Sequence, residues 1–224
     1  LYRDGSEVLV AFQGAADAQT APTSAATRIS QSIWWGLSGQ PLPFQDHKTM
    51  MDFMRTAEVV SMKDIGEGVT NPKKVLLEKD GVQMHAIFRD VHIEKGQTEL
   101  GGRIFLDFRD DSIFECAAYE LSQLLGFYNV PPVVPRKIKR DEGTLQVWIE
   151  HAMTEKNRRK DRIAPVDRVR FNKEWQMIDL FDNLVFNDDR NSGNVIIDNA
   201  WGIWMIDHTR AFRLYDEPKD VSRF

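Results

Sequence analysis

Residues 186–212 read FNDDRNSGNVIIDNAWGIWMIDHTRAF, and the order of polar and apolar residues in this stretch decides how the rest of the chain is read. Asp189 and Asn194 stand five residues apart in a run of turn-forming residues. Two short apolar stretches follow, 195–197 and 203–206, separated by Asn199 to Gly202, the pattern of a tight β-hairpin. Asp207 comes directly after the second stretch, where a carboxylate is costly unless it is paired or binds a cation. An isolated DRNSGN would read as a turn and no more; the position of Asp207 is what argues for a site. Because a hairpin returns its two ends to one place, Asn194 and Asp207 are expected to face a common point.

Working outward, residues 167–185 carry a long helical pattern, and 111–125 form an amphipathic helix closed by Gly126. Pro131-Pro132 breaks the chain before two strand candidates, 133–139 and 144–150, with Glu142-Gly143 read as their turn. Further upstream, 59–65, 73–79 and 82–91 are strand-like, Asp80-Gly81 being the hairpin signal between the last two, and 47–57 is a short helix. Residues 1–46 are rich in Ala, Thr, Ser and Gln and show no sustained periodicity, so they read as a partly irregular extension. Trp34 and Trp35 stand out there as anchors, either onto the domain itself or onto a partner protein.

The composition narrows the function. With 42% hydrophobic and 28% charged residues in 224, the chain can bury a sizeable core. Its net charge of -5 leaves no positive excess for a nucleic-acid backbone. Cys116 is the only cysteine, which excludes an intrachain disulfide framework and a multi-cysteine zinc site. No apolar run approaches the ~20 residues of a membrane span. The compartment stays open, with the cytoplasm slightly favoured over a periplasmic or secreted location. What remains is a pair of carboxylates and an amide, hard oxygen donors suited to magnesium or manganese. Phosphoryl transfer needs little else: metal ligands, here Asn194 and Asp207, and one carboxylate, Asp189, to orient an attacking hydroxyl.

The same residues carry a resemblance. DRNSGN followed by IDHTRAF resembles the DRHxxN catalytic loop and the IDxG or DNGxxF metal-binding step of atypical kinases. These include the phosphatidylinositol 3- and 4-kinases, bacterial persistence-toxin kinases and the Golgi casein-kinase family. The stretch FECAAYELSQLLGFYNVPPVVPR is similar in phrasing to the last of these. The resemblance spans residues 59–212 and implies an α+β, bilobal protein-kinase-like fold. Residues 47–152 would form an amino-terminal lobe of antiparallel sheet plus one helix, and 153–224 a helical carboxy-terminal lobe with the catalytic loop and hairpin. Only 17 residues follow Asp207, so that lobe is expected to be truncated.

The resemblance also implies roles. Glu115 would pair with the nucleotide-binding base of the amino-terminal lobe, with Glu120 as the fallback. Where relatives carry a lysine in the third strand, HAIFRDV places Arg89, whose fork is wider than a compact ammonium. Either Arg89 has taken over the phosphates, another lysine compensates, or transfer is impaired. DIGEGVT, with Gly66 and Gly68, resembles a short phosphate-covering loop, and the backbone from Glu150 to Ala152 would meet the adenine edge. Two functions follow: an ATP- and metal-dependent phosphotransferase acting on a protein or lipid hydroxyl, or a catalytically weak kinase-like binding subunit of a larger assembly.

Overall fold

The computed structural model describes residues 34–66, 71–100 and 102–214. Helix α1 (His47–Thr56) starts on Asp46, whose side chain accepts from the Thr49 N–H at 2.7 Å, and buries Met50, Met51, Phe53 and Met54. Strands β1 (Glu58–Asp64), β2 (Lys73–Lys79) and β3 (Val82–Arg89) follow, β2 and β3 turning at Asp80-Gly81 as the sequence indicates. After a two-stranded ribbon, β4 (His92–Leu100) and β5 (Arg103–Asp111), the chain enters helix α2 (Ile113–Leu125). Gly126 ends α2 in the left-handed region at φ 75°, and the Phe127 N–H reaches back to the Ser122 carbonyl at 2.9 Å. Strands β6 (Val133–Ile138) and β7 (Asp141–Val147) complete an antiparallel five-stranded sheet in the order β1-β2-β3-β7-β6.

Alternation decides which way this sheet faces. Val75 and Leu77 on β2, Met84, Ala86 and Phe88 on β3, and Leu145 and Val147 on β7 are buried in one cluster. Helices α1 and α2 pack on it, both touching β6. Arg136 of β6 donates to the carbonyls of Met54 and Ala57, satisfying acceptors that the end of α1 leaves open.

Beyond β7 come β8 (Met153–Thr154), α3 (Glu155–Lys160), α4 (Arg168–Leu184), β9 (Val195–Ile197) and β10 (Ile203–Met205). The last strands form a second antiparallel sheet in the order β10-β9-β8. Asn129, just after α2, ties this sheet to the first. Its carbonyl accepts from the Met205 N–H at 2.7 Å, and its amide donates to the Ile203 carbonyl at 2.7 Å.

Two expectations change, and for Trp34 the first of its two readings holds. The β6–β7 turn falls at 139–140, and Gly143 lies inside β7 rather than at a turn. The reason is steric: a Cβ on Gly143 would sit 2.1 Å from the carbonyl oxygen of Arg89, so only glycine lets β7 lie against the end of β3. The β4–β5 ribbon was not anticipated, because Ile104 and Leu106 alternate on an exposed face and its strands show no buried stripe. The end of the extension is not loose. Trp34 is buried against Trp204, ring centroids 5.2 Å apart, and its carbonyl accepts from the Leu42 N–H at 2.7 Å. It anchors the chain to its own domain and offers no free surface to a partner, while Trp35 is half-buried and bridges to Pro41.

Candidate active site

The last residue of β3, Arg89, is surrounded by groups contributed from three directions. Its side chain is 4% exposed, with Nε 3.6 Å from Glu115 Oε1 and 4.0 Å from Asp207 Oδ1. Nη1 donates to Gln146 Oε1 on β7 at 3.1 Å, and the Gln146 amide in turn donates to Glu115 Oε2 at 3.4 Å. Glu115 is fully buried, on the first turn of α2. Burial alone would push its carboxyl up; the Arg89 guanidinium and the hydrogen bonds from His208 outweigh that and hold it well below the usual carboxylate range. Glu120 is exposed and takes no part.

The second half of the site comes from the loop after α4 and from the end of β10. The Ile206 N–H donates to the Asn194 carbonyl at 3.1 Å, continuing the β9–β10 ladder, so Asn194 lies opposite Ile206 and one residue from Asp207. Asp207 is left-handed, φ 64°, a conformation that costs a non-glycine residue energy and turns the chain sharply at the strand end. Among the described residues the Asp207 carboxylate has Thr209 Oγ1 at 3.3 Å and Arg89 at 4.0 Å as partners. The Asn194 side-chain amide donates to the Asp189 carbonyl at 3.4 Å, which ties the loop across its own width.

Asp189 itself faces Arg210, whose Nη1 lies 3.1 Å from Oδ2. Arg210 is fixed by Nε to Asp110 Oδ2 at 2.8 Å and sits over the Phe108 ring, both residues belonging to β5. Burial raises the Asp189 pKa; Arg210 works against it, while Asp207, Asp188 and Asp110 add to it.

The remaining positions are less central. Gly66 is left-handed at φ 73° in the β1–β2 loop, and Gly68 lies outside the described residues. Glu150 and Ala152 lie in the connection between the two sheets, and Glu150 pairs with His85 of β3 through its carboxylate. Lys73 is paired with Asp90 at 3.1 Å, and Lys74 covers the Trp148 ring at 3.9 Å, so neither replaces Arg89 beside Glu115. Sequence reasoning missed Gln146, Arg190, His208 and Arg210. Arg190, His208 and Arg210 are polar residues inside the decisive stretch itself, and Gln146 is a lone amide in the apolar run of β7; these were the available signals.

The chain's fold is kinase-like, as its likeness to solved structures shows. No family model and no curated protein matches its sequence. Among solved structures it is similar to the hydra Fam20 protein with sugar, TM-score 0.55 and 16% identity, covering 88% of this chain and 75% of that one. It is also similar to the Golgi casein kinase, TM-score 0.53 and 15% identity, covering 94% of this chain and 66% of that one. At such identities the likeness is one of fold.

Proposed function

We propose that this chain is an ATP-dependent phosphotransferase that passes the γ-phosphate to a hydroxyl acceptor with the help of magnesium or manganese. The observation that carries the reading is the buried Arg89 guanidinium between Glu115 and Asp207, at 3.6 and 4.0 Å. A cation in that position, oriented by a helix glutamate and next to an incompletely partnered carboxylate, suits nucleotide phosphates and the metal that accompanies them. Residues 47–152 and 153–224 are read as the two lobes of such an enzyme, with Glu150 to Ala152 as the hinge against the adenine and Gly66 in the loop over the phosphates.

The donor set fits a hard divalent ion. Among the described residues no three His, Cys, Asp or Glu side chains form a cage. Asn194 and Asp207 supply two oxygens, and phosphate oxygens and water would complete the octahedral shell that magnesium prefers. Asp189 would orient the acceptor hydroxyl. Among the described residues no helix is long and apolar enough to cross a membrane.

The ion pair between Arg210 and Asp189 favours a second reading, a kinase-like binding subunit whose catalytic carboxylate is occupied by its own chain. One pair of measurements separates the two. Mn-ATP at 100 times its dissociation constant should stabilise the protein by about 2.7 kcal/mol, raising Tm. Transfer of labelled γ-phosphate to a panel of peptide, lipid and sugar hydroxyls should then be detectable and vanish in Asp189→Ala. Binding without transfer supports the subunit reading, and no binding at millimolar nucleotide removes both.

A further inference from the structure

His208, the residue after Asp207, is fully buried, and both of its ring nitrogens are engaged. Arg190 Nη2 lies 2.9 Å from Nε2, and a guanidinium can only donate, so Nε2 presents a lone pair. The ring proton is then on Nδ1, which donates to Glu115 Oε2 at 3.3 Å, while the His208 backbone N–H donates to Glu115 Oε1 at 3.1 Å. Arg190 is fixed on its other side by Asp182 of α4, through Nε at 2.8 Å and Nη2 at 2.9 Å. It also donates to the carbonyls of Asn194 and Ile206. One chain of contacts thus runs from α4 through the catalytic loop and His208 to Glu115 and Arg89.

We propose that His208 is a positioning residue that locks helix α2 to the catalytic loop, so that the glutamate orienting Arg89 and the loop bearing Asp189 move as one unit. If Glu115 met Arg89 alone, α2 could move off by breaking a single ion pair. Here it must also break two hydrogen bonds to His208 and leave buried polar groups without partners. The lock concerns the chain's own contacts; only its catalytic consequence rests on the phosphotransferase reading.

Two conservative variants split the lock. Glutamine places its carbonyl near Nε2, so His208→Gln keeps an acceptor for Arg190 and loses the donor to Glu115. Asparagine reaches only as far as Nδ1, so His208→Asn keeps that donor and loses the acceptor. Amide hydrogen exchange on the full chain should show α2 exchanging roughly tenfold faster in His208→Gln with the 187–194 loop unchanged, and the reverse in His208→Asn, tenfold in rate being ~1.4 kcal/mol of opening free energy. With Mn-ATP, His208→Gln should raise the nucleotide KM at nearly constant kcat, and His208→Asn should lower kcat at nearly constant KM. Equal loosening of both segments in both variants, or loosening of neither, overturns the lock. If a variant does not fold, Arg190→Lys must loosen the loop and spare α2; loosening of both is the overturning result. Wild-type protein that binds no nucleotide would refute the proposed function, while the exchange pattern would still decide the lock.

Discussion

The carboxylates behind the site and those at its front are built differently. Glu115 and Asp182 have side chains 0% and 9% exposed and receive hydrogen bonds on both oxygens. Asp207 and Asp189 have side chains 31% and 41% exposed; Asp207 meets Thr209 and Arg89, and Asp189 is paired with Arg210. A buried carboxylate survives only when its partners replace the lost water, so the rear pair is committed to holding the fold. Among the described residues, the front pair accepts fewer hydrogen bonds than the rear pair.

The comparison breaks if mutation treats the two pairs alike. Glu115→Ala strands Arg89 in the interior, and urea unfolding should show a loss of about 3–5 kcal/mol, as for one partner removed from a buried ion pair. Asp207→Ala should cost within about 1 kcal/mol of stability, as partly exposed pairs do, yet calorimetry should find metal-dependent nucleotide binding gone. Asp189→Ala should also be benign to the fold and keep nucleotide binding while losing transfer. Equal losses of stability from Glu115→Ala and Asp207→Ala would mean that front and rear are one structural cluster.

A smaller effect tests the backbone under Arg89. Gly143→Ala forces a Cβ toward the Arg89 carbonyl, and the strand must shift, at a cost of roughly 1–3 kcal/mol by chemical denaturation. Nucleotide affinity should fall with it, because the shift carries Arg89 away from Glu115. Unchanged affinity in a folded Gly143→Ala variant would detach Arg89 from the site.

The rear pair also has a pH signature. The folded-state pKa of Glu115 is depressed, so the stability it contributes is present above the unfolded value of about 4.3 and is lost as pH falls through the folded value. Glu115→Gln, which cannot titrate, should therefore be less stable than wild type at neutral pH by a margin that narrows in acid below about pH 4. A margin independent of pH would place the stabilisation in packing rather than charge.

Cys116, next to Glu115, gives the smallest effect. Burial first, then the nearby carboxylates of Glu115 and Glu120, push its thiol up to about 11. Alkylation at pH 8 should be about 100-fold slower than for an exposed thiol, with no change in stability on Cys116→Ala beyond a small cavity. Fast labelling of the folded protein would show that α2 opens readily, contrary to a locked rear.

The elements legible in the sequence share a trait: their signals are local. Asp80-Gly81 set the β2–β3 turn, Gly126 ended α2, and the stretch from Asp189 to Asp207 placed a loop before a hairpin. The β4–β5 ribbon failed that test, since the Gly101-Gly102 pair was its one local cue and neither strand carries a buried stripe. The turn misplaced at Glu142-Gly143 failed for the opposite reason, a glycine required by a neighbour 54 residues away rather than by its own backbone.

By itself, then, the sequence determined the order of most elements and marked Asp189, Asn194 and Asp207 as candidates, because residue type and spacing already encode turn geometry and oxygen-donor chemistry; the kinase-like fold and the candidates Arg89 and Glu115 rested on the resemblance its motifs carry. Only the tertiary structure decided that Arg89 rather than Lys73 or Lys74 lies beside Glu115, that Arg210 sits on Asp189, and that His208 joins Glu115 to Arg190. Those pairings join residues up to 93 positions apart, and which charge meets which in a low-dielectric interior depends on how sheets and helices pack.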